Sequence, residues 1–472
     1  MRNIIYKSLQ AIAATLAVAG LSSCDKQLDL VPKGQSTLDN VADLELLLNQ
    51  EWELDEPPYN SISVICNEAL GMMVSVPEVL ASPNTLMYAY LTYDEGVDRK
   101  TLTQSDPVYS KLYSYINSMN TLLEKIDTAT GDEQIRPRLK AEARIMRAYF
   151  HYILVNMYAR QYDESTASTL GGIAYVTDID VQTQKEQLKL AEVYEKILED
   201  CSDDVIGLLP DDNFDVVRPD KAFGNAVRAK VLMQMKRYSD ALPYALEAIE
   251  LNGAIEDREA DTSSGDWVLP RNVQNNYVWI GGVGLVCPAL ETLSYESQDK
   301  FEKSDYLLRN LGTTGWDLGF GKIYSGLDGI RMFMGFGAQG NPWGVTSDRM
   351  YYVAAECLIR TGELRKGLEL VDAVRKNRLA NYSSYAMMMS MFPMDEKSVM
   401  SLMQGAKWIE CLGSYDNFFD MKRWNSEADY SRTITRSLGE YGTFTLSPES
   451  DLWVLPFPAN AVRYNSSLKH NY

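Results

Sequence analysis

Few side chains in this 472-residue chain belong to the types that usually do chemistry at neutral pH. There are two histidines, His151 and His470. That leaves almost no room for a histidine-rich zinc site or for a Ser-His or Cys-His nucleophile. After Cys24 the cysteines are Cys66, Cys201, Cys287, Cys357 and Cys411, an odd number with no pair at metal-ligand spacing. Cys201 and Cys357 fall on apolar faces of expected helices and read as small buried hydrophobes. Asp211, Asp212 and Asp215 could gather a calcium ion, but they read first as a solvated loop. Gly281-Gly282-Val283-Gly284 lacks the full glycine fingerprint of a nucleotide loop, and the helix with its acidic residue. A glycoside hydrolase would need two carboxylates at a fixed separation. The chain has 65 acids, and no motif singles out a pair. No catalytic residue, metal ligand or cofactor is assigned, and the reading is a binder, not an enzyme.

One cysteine does carry a specific chemical signal. Arg2 and Lys7 precede an apolar run, residues 11–20, broken only by Thr15. The run is too short for the roughly 20 residues of a membrane span and fits a signal-peptide core. Leu21-Ser22-Ser23-Cys24 then has the form of a bacterial lipobox. In that pattern Cys24 is acylated and becomes the new N-terminus. Residues 1–23 are read as the lipoprotein signal peptide and 24–38 as a polar tether. Each buried methylene of an acyl chain, such as palmitate, contributes about 0.8 kcal/mol, so lipidation alone can hold a chain at a membrane.

The net charge is −20, and −22 once Arg2 and Lys7 leave with the signal. That argues against nucleic acid and anionic lipid head groups as partners.

The elements that would position a site are helical. Asp39 is a candidate N-cap for a helix through Leu44, Leu47 and Leu48. Asp106-Pro107 opens a helix to about Asp127. Leu139, Ala143, Met146, Phe150, Ile153 and Met157 form an apolar stripe at helical spacing. Ala148, Tyr152, Val155 and Ala159 form a second, so that helix packs on two sides. His151 sits inside it as a packing residue. Residues 191–209 read as one helix stopped by Pro210. Ala229, Leu232, Ala241, Ala245 and Ala248 share their spacing with Ala355, Leu358, Gly367, Val371 and Val374. Tyr238 and Leu364 mark the turn in each copy. The pattern is that of a tetratricopeptide helix pair. Because the copies are not in tandem, the reading is a helical scaffold with insertions and not a regular solenoid. Residues 253–346 form a long irregular insertion, dense in glycine and tryptophan, with a short strand at 278–286 that holds Trp279. A long irregular segment on a rigid frame is a place for function. The whole reads as one mainly α domain over residues 39–472.

These stretches resemble the RagB/SusD family of outer-membrane nutrient-binding lipoproteins. Cys24-Asp25-Lys26-Gln27-Leu28-Asp29 and Val31-Pro32-Lys33-Gly34 are similar to the family's opening. Glu142-Ala143-Arg144-Ile145-Met146-Arg147-Ala148-Tyr149, Asn225 to Val231, Tyr351 to Glu356 and Val371 to Arg375 resemble its helix motifs. Asp416-Asn417-Phe418-Phe419-Asp420-Met421-Lys422-Arg423-Trp424 resembles its aromatic-Asp-x-Lys/Arg-Arg-Trp signature, and Leu455-Pro456-Phe457-Pro458 its close. Lys407 to Gly413 lacks the usual paired arginines and Gly-His, which marks a divergent member. Asp420, Arg423 and Trp424 are expected to lock helices together.

The resemblance implies a lipid-anchored protein of the bacterial outer membrane, facing the cell surface. It implies a glycan or oligosaccharide ligand and delivery to a SusC-like TonB-dependent transporter. The alternatives are a peptide-binding member of the same family and, less in keeping, a surface glycoside hydrolase. A sugar presents a C–H face to aromatic rings and hydroxyls to polar side chains. The expected ligand contacts are Tyr88 and Tyr90 from the early irregular segment, and Trp267, Tyr295, Trp316 and Trp343 from the insertion. Trp316 and Trp343 are expected to be the most exposed.

Overall fold

The computed structural model describes residues 38–54, 61–72, 74–212, 215–263, 274–282, 291–309, 315–333 and 341–472. Helices dominate, and the strands are short.

The early segment holds α1 (Val41–Glu45), β1 (Glu53–Leu54), α2 (Ser61–Ile65), β2 (Ala69–Met72), α3 (Val76–Leu80), α4 (Leu86–Thr92) and α5 (Arg99–Leu102). Helix α1 starts one residue later than expected. Asn40 caps it by accepting from the Asp43 N–H at 2.9 Å, while the Asp39 carbonyl is used by the Thr130 N–H. Helix α6 (Pro107–Lys125) opens as its sequence dictates: Asp106 accepts from the Val108 and Tyr109 N–H groups, and Pro107 needs no acceptor. Both apolar strips of α7 (Arg136–Tyr158) are buried, and the helix packs on α6, on α8 (Leu190–Asp200) and on α10 (Lys221–Gln234). Strands β3 (Gly171–Ala174) and β4 (Gln187–Lys189) form a hairpin beside it.

The expected single helix over 191–209 is two, α8 and α9 (Asp203–Gly207). The break has a cause. Asp200 is drawn to Arg144 and Arg147, and Arg228 takes the Leu198 and Cys201 carbonyls that would otherwise continue the ladder.

Helix α10 pairs with α11 (Tyr238–Leu251), and α15 (Ser347–Arg360) with α16 (Leu364–Arg375). Tyr238 and Leu364 are the first residues of their second helices. A Cβ on Gly367 would lie 2.5 Å from Ile359 and 2.8 Å from the Ala355 carbonyl, so only glycine allows this approach. The two pairs are far apart in sequence but adjacent in space, since α11 packs directly on α15. The insertion therefore loops out between neighbouring repeat units.

That insertion carries α12 (Arg258–Ser263), β5 (Asn276–Val278), β6 (Gly281–Gly282), β7 (Glu291–Leu293), α13 (Tyr295–Gln298), α14 (Gly315–Ser325), β8 (Met332–Phe333) and β9 (Val345–Thr346). Of the expected strand at 278–286, residues 283–286 lie outside the described residues; the rest is divided between β5 and β6, and Trp279 sits half-buried between them. Asn341 causes the split: its Oδ1 accepts from Ile280 and Gly344, and its Nδ2 donates to Asn276 and Val278. Strand β5 pairs with β9, β6 with β1, and β7 with both β2 and β8. The insertion is thus stitched to the early segment.

The last third adds α17 (Tyr385–Met391), α18 (Glu396–Glu410), α19 (Tyr415–Asn425), the hairpin β10 (Ile434–Ser437) and β11 (Thr443–Leu446), and α20 (Ala459–Tyr464). One large hydrophobic core joins residues from Val41 to Leu468. Among the described residues no helix is long and apolar enough to cross a membrane.

Candidate functional site

The signature residues of α19 are structural. Arg423 engages both oxygens of Glu356 on α15, and Trp424 Nε1 donates to the same carboxylate at 2.8 Å. Asp420 accepts from Arg423 and pairs with Lys407 of α18. One turn earlier, Asp416 pairs with Lys230 of α10 and Arg349 of α15. Burial works against the Asp416 charge, yet these cations hold its carboxyl at about 2. The motif thus bolts four helices together.

His151 is a packing residue, as expected. Its Nδ1 faces the Arg147 carbonyl at 2.9 Å, its Nε2 accepts from the Val176 N–H, and its ring stacks on Tyr175. Burial pushes it down to about 3, so the imidazole is neutral. Cys66, Cys201, Cys357 and Cys411 are buried thiols whose pKa is raised, chiefly by burial. Cys24 and Cys287 lie outside the described residues. Asp211 pairs with Lys221.

Among the described residues one trio of acids, Glu256, Asp348 and Glu410, places a carboxylate oxygen of each within 4.8 Å of the others, all buried. Two guanidiniums already serve them: Arg378 contacts Asp348 at 3.0 Å and Glu410 at 2.8 Å, and Arg258 contacts Glu410 at 3.2 Å. This is an ion-paired centre in which two guanidiniums are shared among three carboxylates.

The expected ligand aromatics part company. Tyr90 is only 2% exposed, on the inner face of α4, because its helical register turns it into the core. Trp343 is 3% exposed. The β5–β9 pairing draws it inward, where its ring stacks on Tyr415 at 5.9 Å and its carbonyl accepts from Tyr149. The expected exposure of Trp343 is corrected, and Tyr90, an expected contact, offers little surface to a ligand. Trp267 lies outside the described residues. Tyr88 and Tyr295 are half-exposed. Trp316 stands in the first turn of α14.

Tyr295 and α14 share one region, built on the sheet β2-β7-β8. The Tyr295 hydroxyl donates to the Asp328 carbonyl in the turn after α14, and its ring edge lies beside Gly329. In the same turn Gly326 (φ +75°) faces Pro77 of α3, and a Cβ there would meet the proline ring at 2.8 Å. Helix α14 presents residues the sequence analysis passed over. Phe320 and Tyr324 stack at 6.0 Å, 21° apart, and Ile323 beside them is 71% exposed. Trp316 precedes Phe320 by one helical turn. The 316, 320, 323, 324 spacing was a readable sign of an apolar helix face.

A separate cleft of about 520 Å³ opens between α18, the end of α19, the stretch leading into β10, and the segment after α13. Lys300 lies at its mouth, with its ammonium 3.6 Å from the centre of the Trp408 ring. Arg432 donates to Gln404 at 2.9 Å across it. No local sequence pattern marks this cleft, which brings Lys300 to Trp408 and Arg432 from more than a hundred residues away.

The first part of the chain, residues 28–233, matches the SusD-like family described as starch-binding and associating with the outer membrane. The fold is similar to that of solved SusD-like proteins. A SusD superfamily protein from Bacteroides thetaiotaomicron matches with a TM-score of 0.66 at 14% identity, over 92% of this chain and 100% of that one. A SusD-like carbohydrate binding protein from Bacteroides vulgatus matches with a TM-score of 0.62 at 15% identity, over 92% and 98%. Surface glycan-binding protein A from Bacteroides uniformis matches with a TM-score of 0.60 at 18% identity, over 77% and 84%. No curated protein sequence matches the chain. The first part of the chain thus resembles the SusD-like family, and the chain shares its fold with solved SusD-like proteins at low sequence identity.

Proposed function

We propose that this chain is an outer-membrane lipoprotein, acylated at Cys24, that binds a glycan or oligosaccharide at the cell surface and passes it to a SusC-like TonB-dependent transporter. The observation that carries the binding role is the aromatic face of α14. Ile323 stands exposed, with Phe320 and Tyr324 half-exposed beside it, in a long insertion on a rigid SusD-like frame. Such a face covers the C–H side of a sugar ring, and neighbouring polar groups can meet its hydroxyls. Tyr295 borders the turn that ends α14, Trp316 begins the helix, and Tyr88 and Trp267 remain candidate contacts from the flanking segments.

Binding without cleavage is the better reading. The buried trio Glu256, Asp348 and Glu410 is ion-paired to Arg258 and Arg378, an arrangement suited to structure more than to proton transfer. The descriptions of the carbohydrate-binding fold relatives support the ligand class. Detergent-solubilised outer membrane from cells expressing the full chain tests the location and partner. Co-purification of a large β-barrel, with an acylated terminus at Cys24 by mass spectrometry, is expected. Recovery of soluble partners only, with an unmodified terminus, contradicts the proposal.

A further inference from the structure

The cleft beside α18 has the chemistry of a second binding site, independent of the α14 face. Most charges on its wall are matched. Arg375 pairs with Glu302 at 2.7 Å, and Arg378 with Glu410 at 2.8 Å. Lys300 and Arg432 are different: no carboxylate among the described residues lies within salt-bridge distance of either, and both are exposed at the cleft. Two buried donors on the same wall are also unused. Trp408 is 4% exposed, and its Nε1–H has no acceptor. Asn425 accepts from the Arg432 N–H through Oδ1, which fixes the orientation of the amide and leaves Nδ2 without a partner. Leaving a buried donor unpaired is costly, so such groups mark places where an acceptor belongs.

The wall also holds acceptors. Glu296 receives the Asn67 Nδ2–H and the Ser437 N–H, which keeps a carboxylate at one end of the cleft. Gln404, Thr433 and Thr435 add neutral oxygens. Unpaired cations, unused N–H donors and hydroxyl acceptors together suit a ligand that carries both a carboxylate and several hydroxyls. We propose that this cleft binds a sugar acid, a uronate unit of one or two rings, with its carboxylate between Lys300 and Arg432. The volume lies inside the range of small-ligand pockets, roughly 300–1,000 Å³.

Ligand-observed NMR on the full chain with D-glucuronate, D-glucose and acetate tests this. Glucuronate is expected to bind saturably and more tightly than either of the others. The double variant Lys300→Ala/Arg432→Ala changes exposed side chains, so it should keep the wild-type circular dichroism and melting temperature. It should weaken glucuronate binding by roughly tenfold or more, the scale of lost charge-assisted hydrogen bonds. Phe320→Ala/Tyr324→Ala should leave glucuronate binding unchanged, which separates this cleft from the α14 face. Equal affinity for glucose, equal affinity for acetate, no glucuronate binding, or binding untouched by the double variant would each overturn the proposal.

Discussion

Arg423 and Glu356 meet through two parallel hydrogen bonds, both side chains fully buried, and so tie α19 to α15. Burial opposes the charge on Glu356, but Arg423, Lys407 and the Trp424 indole hold its carboxyl well below the usual carboxylate range. Removing one partner strands the other in the core. Arg423→Met should therefore cost about 3–5 kcal/mol, while Glu356→Gln/Arg423→Met should cost less than the sum of its single changes. Urea denaturation of the three variants measures this, and additive losses would deny the coupling.

The neutral, buried His151 makes stability depend on pH in a defined direction. Its folded value of about 3 lies below the ordinary 6.5. Between those values the unfolded chain holds the extra proton, so unfolding is favoured by acid. The contribution is complete above pH 6.5 and is lost as the pH falls toward 3. Compared with His151→Asn, the wild type should lose about 1.4 kcal/mol more per pH unit between pH 6 and 4. Denaturation midpoints across that range, or an imidazole NMR signal that stays unprotonated down to pH 4, check it.

Two glycines of neighbouring helices should respond oppositely to the same change. Gly367→Ala forces a methyl into Ile359 and the Ala355 carbonyl and should cost about 1–3 kcal/mol. Gly405 lies in α18 with nothing within 4 Å of its would-be Cβ. Gly405→Ala should stabilise by about 0.5–1 kcal/mol, through helix propensity alone. Thermal melts of the pair distinguish crowding from backbone entropy.

The helices were legible because their signals are local. Asp106-Pro107 writes its own helix start, and the stripe from Leu139 to Met157 writes its own buried face. The repeat pairs were also legible, through Ala241, Ala245, Ala248 and Gly367. Their adjacency was not, since the stacking of α11 on α15 is a contact across the whole insertion. Trp343 shows the same limit. Pro342 beside it suggested an exposed turn, but the β5–β9 pairing, seventy residues apart, turns the ring into the core. The face of α14 could have been read from the spacing of Trp316, Phe320 and Tyr324. Its glycines obscured the helix, being residues that weaken helical propensity. The Lys300–Trp408 cleft had no local signal at all.

Trp343 and the α14 face should now behave differently under truncation. Trp343→Ala removes a core ring and should destabilise by about 3–5 kcal/mol, with any loss of binding following the loss of fold. Phe320→Ala and Tyr324→Ala remove half-exposed rings and should leave the melting temperature within a few degrees of wild type. Differential scanning calorimetry separates the two classes.

The central claim is that the chain holds a glycan on the α14 face and does not cleave it. Affinity electrophoresis of the purified chain through gels containing individual polysaccharides, with reducing ends assayed in parallel, tests it most directly. The account predicts retardation by at least one polysaccharide, no reducing ends released, and the loss of that retardation in Trp316→Ala/Phe320→Ala/Tyr324→Ala. Release of sugar products, or retardation that persists unchanged in the triple variant, would contradict it.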